Sequence, residues 1–227
     1  MEPLAGSRAA LTIWRAVEAQ HVVSTMLLVD TSEEQRILEE LLDLTKPPLP
    51  EATAGLHYLL FTPFRYPPTG QGSRFRRPED PGVFYGAEAP RTACAELGYW
   101  RWRFLLDSPD LDSLDPAPQT VFQIAVGGLA VDLRGRPFVR QRRRWIDPVD
   151  YAACQRLASG ARDRGIHLIR YESVRDPEHG GAAALLTAAA FRSKAPRVEE
   201  TWYLAVRRDR VRWSRSPGVG FEFSYPI

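Results

Sequence analysis

Hydrophobic and polar positions alternate along the chain in short runs that predict a mixed α/β (α+β) fold with many strands. LTIWRAV (11–17) reads as a first strand, with Trp14 and Val17 among its apolar residues. Thr31 and Ser32 open a helix: Thr31 and Glu34 have capping-box spacing, and Ile37, Leu38, Leu41 and Leu42 follow at helical intervals before Pro47 and Pro48. LHYLLFT (56–62) reads as a buried strand, and a turn-rich stretch with four arginines follows it. GVFYGAE (82–88) is a short strand. Pro90 then opens a helix on which Ala93, Leu97, Trp100 and Phe104 share one face, read as the packed one. Tyr99 and Trp102 fall on other faces and are candidates for a partner surface.

A loop over 107–118 leads to two strand-like runs, TVFQIAV and LAVDL. Asp147–Pro148 caps a helix running to about Arg164, ended by Gly165. IHLIRYES (166–173) is a strand, 182–190 a strand or short helix, and TWYLAVRR, VRWSRS and FEFSYPI three closing strands, read as antiparallel. Trp202, Tyr203 and Trp213 read as strand core. The pattern shows no repeat, and all 227 residues are read as a single domain with a mixed, partly antiparallel sheet.

Composition narrows the function. Hydrophobic residues are 44% of the chain, enough for a core, while 30 basic and 28 acidic residues leave a formal charge of +2. That balance argues against a polycationic nucleic-acid binder and an acidic disordered tail. No run of about 18 apolar residues exists to cross a membrane. Arg8 and Arg15 bracket too few apolar residues for a signal peptide, and with Cys94 and Cys154 as the two cysteines the reading is a reducing cytoplasm.

The familiar catalytic templates are absent: no phosphate-binding G-x-x-x-x-G-K-[ST], no G-x-G-x-x-G, no G-x-S-x-G. His21, His57, His167 and His179 lie far apart, without metal-ligand spacing, so no metal site is expected. Cys94 reads as a small buried residue. Arg140–Arg144 is the strongest basic run. It reads as a solvated face or a protein docking patch, since no nucleic-acid module accompanies it.

The segment 65–96 carries more chemistry. Arg65, Arg74, Arg76 and Arg77 sit in a Gly/Pro loop, then comes a strand with Tyr85 and a helix with Glu96. Guanidinium groups on such a loop suit bidentate capture of phosphate. An aromatic ring can stack on a planar heterocycle, and a carboxylate among apolar neighbours can face developing positive charge. The same residues also fit a solvated loop whose arginines pair with Glu96.

This segment, GSRFRRPEDPGVFYGAEAPRTACAELGYWR, resembles the core of the RES domain, the toxin of RES–Xre type II toxin–antitoxin pairs. Gly72-Ser73-Arg74 fits its G-x-R motif, Tyr85 its strand tyrosine, Glu96 its helical glutamate, Ser173 a later strand-end serine, and Arg15 in IWRAV its early strand arginine. The HYLLFTPFRYPP stretch resembles the subgroup that modifies nucleotide-synthesis enzymes. The likeness spans roughly 11–206. Phe75-Arg76 replaces the usual Trp-Asn, the gap from Arg74 to Tyr85 is one residue longer than the pattern, and 18–60 is a long insertion.

The resemblance implies a fold similar to ADP-ribosyltransferase toxins. NAD would be its substrate rather than a cofactor, cleaved at the nicotinamide–ribose bond by hydrolysis, phosphorolysis or ADP-ribosyl transfer to a protein acceptor. It assigns Glu96, Arg74, Tyr85 and Ser173 to catalysis and Arg15, Arg65, Arg74, Tyr85 and Ser173 to NAD binding, with 63–81 as the active-site loop. It also implies a cognate Xre-like antitoxin as partner. The alternative is a non-enzymatic module whose basic loop binds a phosphorylated or nucleic-acid partner.

Overall fold

The computed structural model describes residues 4, 6–19, 28–66, 70 and 72–226. Parts of the 18–60 insertion and of the 63–81 loop, and His21, lie outside them. Eight strands form one mixed sheet: β1 (Ser7–Glu18), β2 (Phe84–Ala87), β3 (Ser113–Asp132), β4 (Leu168–Glu172), β5 (Gly181–Leu185), β6 (Val198–Arg207), β7 (Val211–Ser216) and β8 (Val219–Phe223). Five helices accompany it: α1 (Ser32–Thr45), α2 (Tyr58–Arg65), α3 (Pro90–Leu106), α4 (Arg142–Trp145) and α5 (Ala152–Arg162).

The strand order is β1-β2-β5-β4-β3-β6-β7-β8, and β1 also pairs with β3. Strands β1, β2, β5, β4 and β3 therefore close into a ring, while β6, β7 and β8 extend from the other half of β3 as an antiparallel sheet. Only β3 and β4 run parallel. The ring is unevenly sewn. β1 lies along β3 from Ser7↔Ala130 to Glu18↔Gln119, yet it meets β2 at the single pair Trp14↔Ala87. Beyond that pair the two strands diverge.

Several elements differ from the sequence reading. The run 56–62 is not a strand: α2 occupies Tyr58–Arg65, with Leu59 and Leu60 buried and Pro63 within it. Pro63 is tolerated because it sits in the second turn of an eight-residue helix, where little ladder remains to interrupt. TVFQIAV and LAVDL belong to one 20-residue strand, β3, which also absorbs half of the expected 107–118 loop. The helix assigned to Asp147 starts later, at Ala152; Asp147 instead accepts from the Val149 and Asp150 amides in a turn.

Helix α3 packs on a face that is only partly the expected one: Ala93 is buried and Leu97 packs on the core. Cys94, Ala95, Gly98, Trp102 and Leu105 are buried against β6 and β7, whereas Trp100 is 55% and Phe104 52% exposed. Small residues decide this. A Cβ on Gly98 would come within 2.9 Å of Val211 Cγ1, so the helix backbone approaches the sheet where Gly98 stands. Trp102, the residue read as partner-facing, fills the space beside it and donates its indole N–H to Arg208 O at 2.9 Å. Trp202 and Trp213 are buried as expected, but Tyr203 is half exposed.

Candidate active site

Where β1 and β2 diverge, a cavity of about 490 Å³ opens. That is within the range of small-molecule sites, about 300–1,000 Å³. Its wall takes Trp14, Arg15 and Ala16 from β1, Tyr85, Gly86 and Ala87 from β2, and Ala93, Glu96, Leu97 and Trp100 from α3. Thr62, Pro63 and Tyr66 at the end of α2, Tyr171 in β4, the residues after β4 and the loops around Arg74 and Tyr151 complete it. Among the lining residues are four arginines, Arg15, Arg74, Arg76 and Arg175, and one carboxylate, Glu96. Arg15, Arg74 and Arg175 form no salt bridge among the described residues. The cavity is therefore cationic around a single acid.

The arginine loop is folded, not loose. Ser73 and Arg76 exchange backbone hydrogen bonds of 2.7 and 3.1 Å, and Gln155 Nε2 donates to the carbonyls of both. A Cβ on Gly72 would stand 2.6 Å from Arg76 O, so this tight turn needs glycine there. The Tyr85 hydroxyl accepts from Phe75 N at 3.0 Å and bonds Ser73 Oγ at 2.8 Å, tying the loop to β2. Burial pushes the Tyr85 phenol above its ordinary pKa, against the pull of its Ser73 and Phe75 hydrogen bonds. Arg74 Nη1 donates to Trp145 O at 2.9 Å, and its guanidinium lies 4.6 Å from the Tyr151 ring centroid.

Glu96 projects from the second turn of α3. Ser173 Oγ donates to its Oε1 at 2.5 Å, while the Asp176 amide donates to Ser173 Oγ at 3.0 Å, which commits the serine proton to the carboxylate. Asp176 in turn takes Thr92 Oγ1 at 2.7 Å and Arg91 Nη1 at 2.5 Å. Because Thr92 lies one turn before Glu96 on α3, the turn after β4 is clamped to the helix that carries the acid. Burial pushes the Glu96 carboxyl above its usual range, opposed by the Ser173 hydrogen bond and by the charges of Arg74 and Arg175. Burial acts in the same direction on Asp176, but hydrogen bonds from Thr92, the Glu178 amide and Arg91 outweigh it and hold that carboxyl low.

Arg15 donates Nη1 to Tyr85 O at 2.7 Å and lies 4.6 Å from the Phe84 ring centroid. Its Nε is buried without a partner, and burial lowers the guanidinium pKa to about 10, opposed by Tyr85 and Tyr171. It stays charged at neutral pH.

Of the residues singled out in the sequence, Arg15, Arg74, Tyr85 and Glu96 line this cavity. Ser173 is fully buried behind Glu96 and acts on the cavity through it. Arg65 is not in the wall: it ends α2, donates Nε to Pro47 O at 2.7 Å and lies against Tyr66. Cys94 and Cys154 are buried, and burial raises both thiols, so neither is poised as a nucleophile. Among the described residues no three His, Cys, Asp or Glu side chains gather to hold a metal ion, and no helix is long and apolar enough to cross a membrane.

Three wall residues escaped the sequence reading: Tyr151, Tyr171 and Arg175. Arg175 Nη2 reaches Tyr151 Oη at 2.9 Å and Pro148 O at 2.8 Å, and its guanidinium stacks 4.0 Å from the Tyr99 ring centroid. Tyr151 thus holds Arg74 with its ring and Arg175 with its hydroxyl. The available signal was the position of Arg175, two residues beyond Ser173.

The model of the RES domain matches residues 48–209. Among solved structures, the chain resembles a chain of the crystal structure of the M. tuberculosis MbcT–MbcA toxin–antitoxin complex, with a TM-score of 0.50, 14% sequence identity and 86% of each chain covered. No curated protein matches.

Proposed function

The chain belongs to the RES domain family, and from that membership we propose that it is the toxin of a toxin–antitoxin pair, acting on NAD⁺ by breaking its nicotinamide–ribose bond. The observation that carries this reading is the charge pattern of the cavity: Arg15, Arg74 and Arg175, which form no salt bridge among the described residues, surround one buried glutamate. A dinucleotide presents a pyrophosphate dianion beside a ribose that becomes cationic as its glycosidic bond breaks. Arg74 and Arg15 suit the first, as planar donors in a partly dry site. Glu96 suits the second, as an anion held still before the reaction begins.

In the step itself the C1′–N bond breaks and its electron pair leaves with nicotinamide, which departs neutral. The oxocarbenium ion then takes an oxygen from water, from phosphate or from a protein side chain, and a proton is released. Glu96, fixed by Ser173, faces that cation. Tyr85 shapes the nicotinamide end and keeps the Arg74 turn in place. Incubating the purified protein with NAD⁺ and identifying products by mass spectrometry tests the reading. Free nicotinamide with ADP-ribose, with a phosphorylated sugar product, or with a labelled protein identifies the acceptor, and no nicotinamide release would overturn the proposal. The competing module that binds a phosphorylated or nucleic-acid partner predicts none.

Arg74→Ala is expected to raise the KM for NAD⁺ more than Arg74→Lys, because an ammonium supplies charge without the bidentate fork. Equal KM values for both variants and the native protein would place Arg74 outside the pyrophosphate contact. Thermal melts run alongside separate this from loss of the Trp145 hydrogen bond.

The structural likeness to a chain of a toxin–antitoxin complex supports an antitoxin partner, and the family resemblance makes it Xre-like. We expect it to block the cavity by placing a carboxylate or chain end among Arg15, Arg74 and Arg175. The purified complex should release nicotinamide far more slowly than the free protein, with added NAD⁺ relieving the block. Turnover at the free rate in the complex would refute occlusion.

A further inference from the structure

Helix α1 does not join the core. Its capping box is formed, with Glu34 N donating to Thr31 Oγ1 at 3.2 Å and Thr31 N to Glu34 Oε2 at 3.1 Å, so the helix start is built rather than frayed. Yet none of its residues belongs to the three buried clusters. Ile37, Leu41, Leu42 and Leu44 are 44%, 56%, 44% and 83% exposed. A helix of 14 residues is marginal alone in water, and an apolar stripe of this kind is ordinarily stabilised by being covered. The stripe is bordered by acid: Glu33, Glu34, Glu39 and Glu40 against Arg36, which already pairs with Glu33 and Glu40. α1 also precedes the matched family segment, which begins at residue 48.

The complementary surface is on the same chain. Val139–Arg144 line an open groove of about 570 Å³. Arg142 is paired with Glu172, and Arg144 bonds Gln141, but Arg140 and Arg143 form no salt bridge among the described residues. Val139, 40% exposed, supplies apolar surface beside the arginines. Pairing α1 with another α1 would set two acidic helices against each other, which charge repulsion disfavours. Pairing α1 with the groove matches both the sign of the charge and the apolar strip.

We propose that two copies of this chain associate reciprocally, α1 of each lying in the Val139–Arg144 groove of the other. Each chain carries both halves of the contact, so two contacts related by a two-fold axis close the assembly without leaving either surface free. The doubling matters, because one helix about 21 Å long covers too little for a stable interface, which needs about 1,200–2,000 Å² in total. The inference is independent of the NAD reading.

Sedimentation analysis of the isolated chain over a dilution series at low salt decides it. The expected mass at high concentration is twice the 25.6 kDa chain, falling to the single-chain mass as salt is added. Leu41→Asp and Arg143→Glu, both at exposed positions, should each yield the single-chain mass with an unchanged melting temperature. Leu42→Asp and Arg140→Glu replace either one whose melting temperature drops. Mixing the two single-site variants leaves one intact contact of the two, so a double-mass species should return only at the highest concentrations, far weaker than the native dimer. A chain that is monomeric throughout overturns the proposal. So does a dimer indifferent to both substitutions, or a mass that keeps growing with concentration, as an open chain of copies would.

Discussion

Glu96→Ala is expected to lower nicotinamide release about 10²–10³-fold, the loss typical when one preorganised charged or polar contact to a transition state is removed. Glu96 is the one carboxylate in the cavity wall, and Ser173 and Asp176 fix its position. Glu96→Gln separates charge from shape, because the amide oxygen still accepts from Ser173. It should be nearly as inactive as alanine, with a higher melting temperature at neutral pH. The sign follows from the raised carboxyl pKa. The folded protein binds this proton more tightly than the unfolded chain. Stability is therefore lost as pH rises from the ordinary carboxylate range to the raised value, and glutamine avoids that loss. Through the same window the native rate should climb with pH, as the carboxyl ionises. Near-native nicotinamide release by either variant would remove Glu96 from the reaction.

Trp102→Ala is expected to destabilise the protein by about 3–5 kcal/mol, the usual cost of deleting a buried tryptophan. The indole is 1% exposed, packs on Tyr99 and Tyr225, and donates to Arg208 O. Trp100→Ala, two residues earlier and 55% exposed, should change stability by less than about 0.5 kcal/mol. Denaturant unfolding of the two variants makes the comparison. Equal losses would contradict the packing of α3 on β6 and β7.

This pair also shows where the sequence was legible and where it was not. Reading α3 by its apolar spacing selects Ala93, Leu97, Trp100 and Phe104. Ala93 is buried and Leu97 packs on the core, but Trp100 and Phe104 are exposed: the side against the sheet bears Cys94, Ala95 and Gly98, because small residues let the helix close on it and leave room for Trp102. Size misleads wherever close approach matters more than area. LHYLLFT fails for another reason: a short apolar run has no periodicity to separate a buried strand from a buried helix. The closing antiparallel strands and the α1 capping box follow from local pattern, and the structure contains them.

The cavity divides similarly. Arg15, Arg74, Tyr85 and Glu96 were found through their spacing and family resemblance, and the fold brings them to one wall. Tyr151, Tyr171 and Arg175 belong to no local pattern. Their neighbours are set by tertiary contacts, as when the Arg175 guanidinium reaches the loop at Pro148. Arg65 looked equivalent to Arg74 in a list of loop arginines. The extension of α2 through Arg65 turns it toward Pro47 instead.

The ring of strands places a delay on the appearance of the site during synthesis. β1 meets β2 at one pair and takes the rest of its pairing from β3, so Arg15 lacks its backing strand until the chain has passed Gln119–Ala130. Glu96 gains its serine at residue 173, and the wall closes with Arg175. At ribosomal rates of about 5–20 residues per second, roughly 8–30 s separate Arg15 from the residues that complete its cavity. Every shorter nascent chain lacks part of that wall. A ribosome making this protein therefore holds an incomplete site for most of its transit, and under the proposed function that interval lets an inhibitor already present be in place before the first molecule can act.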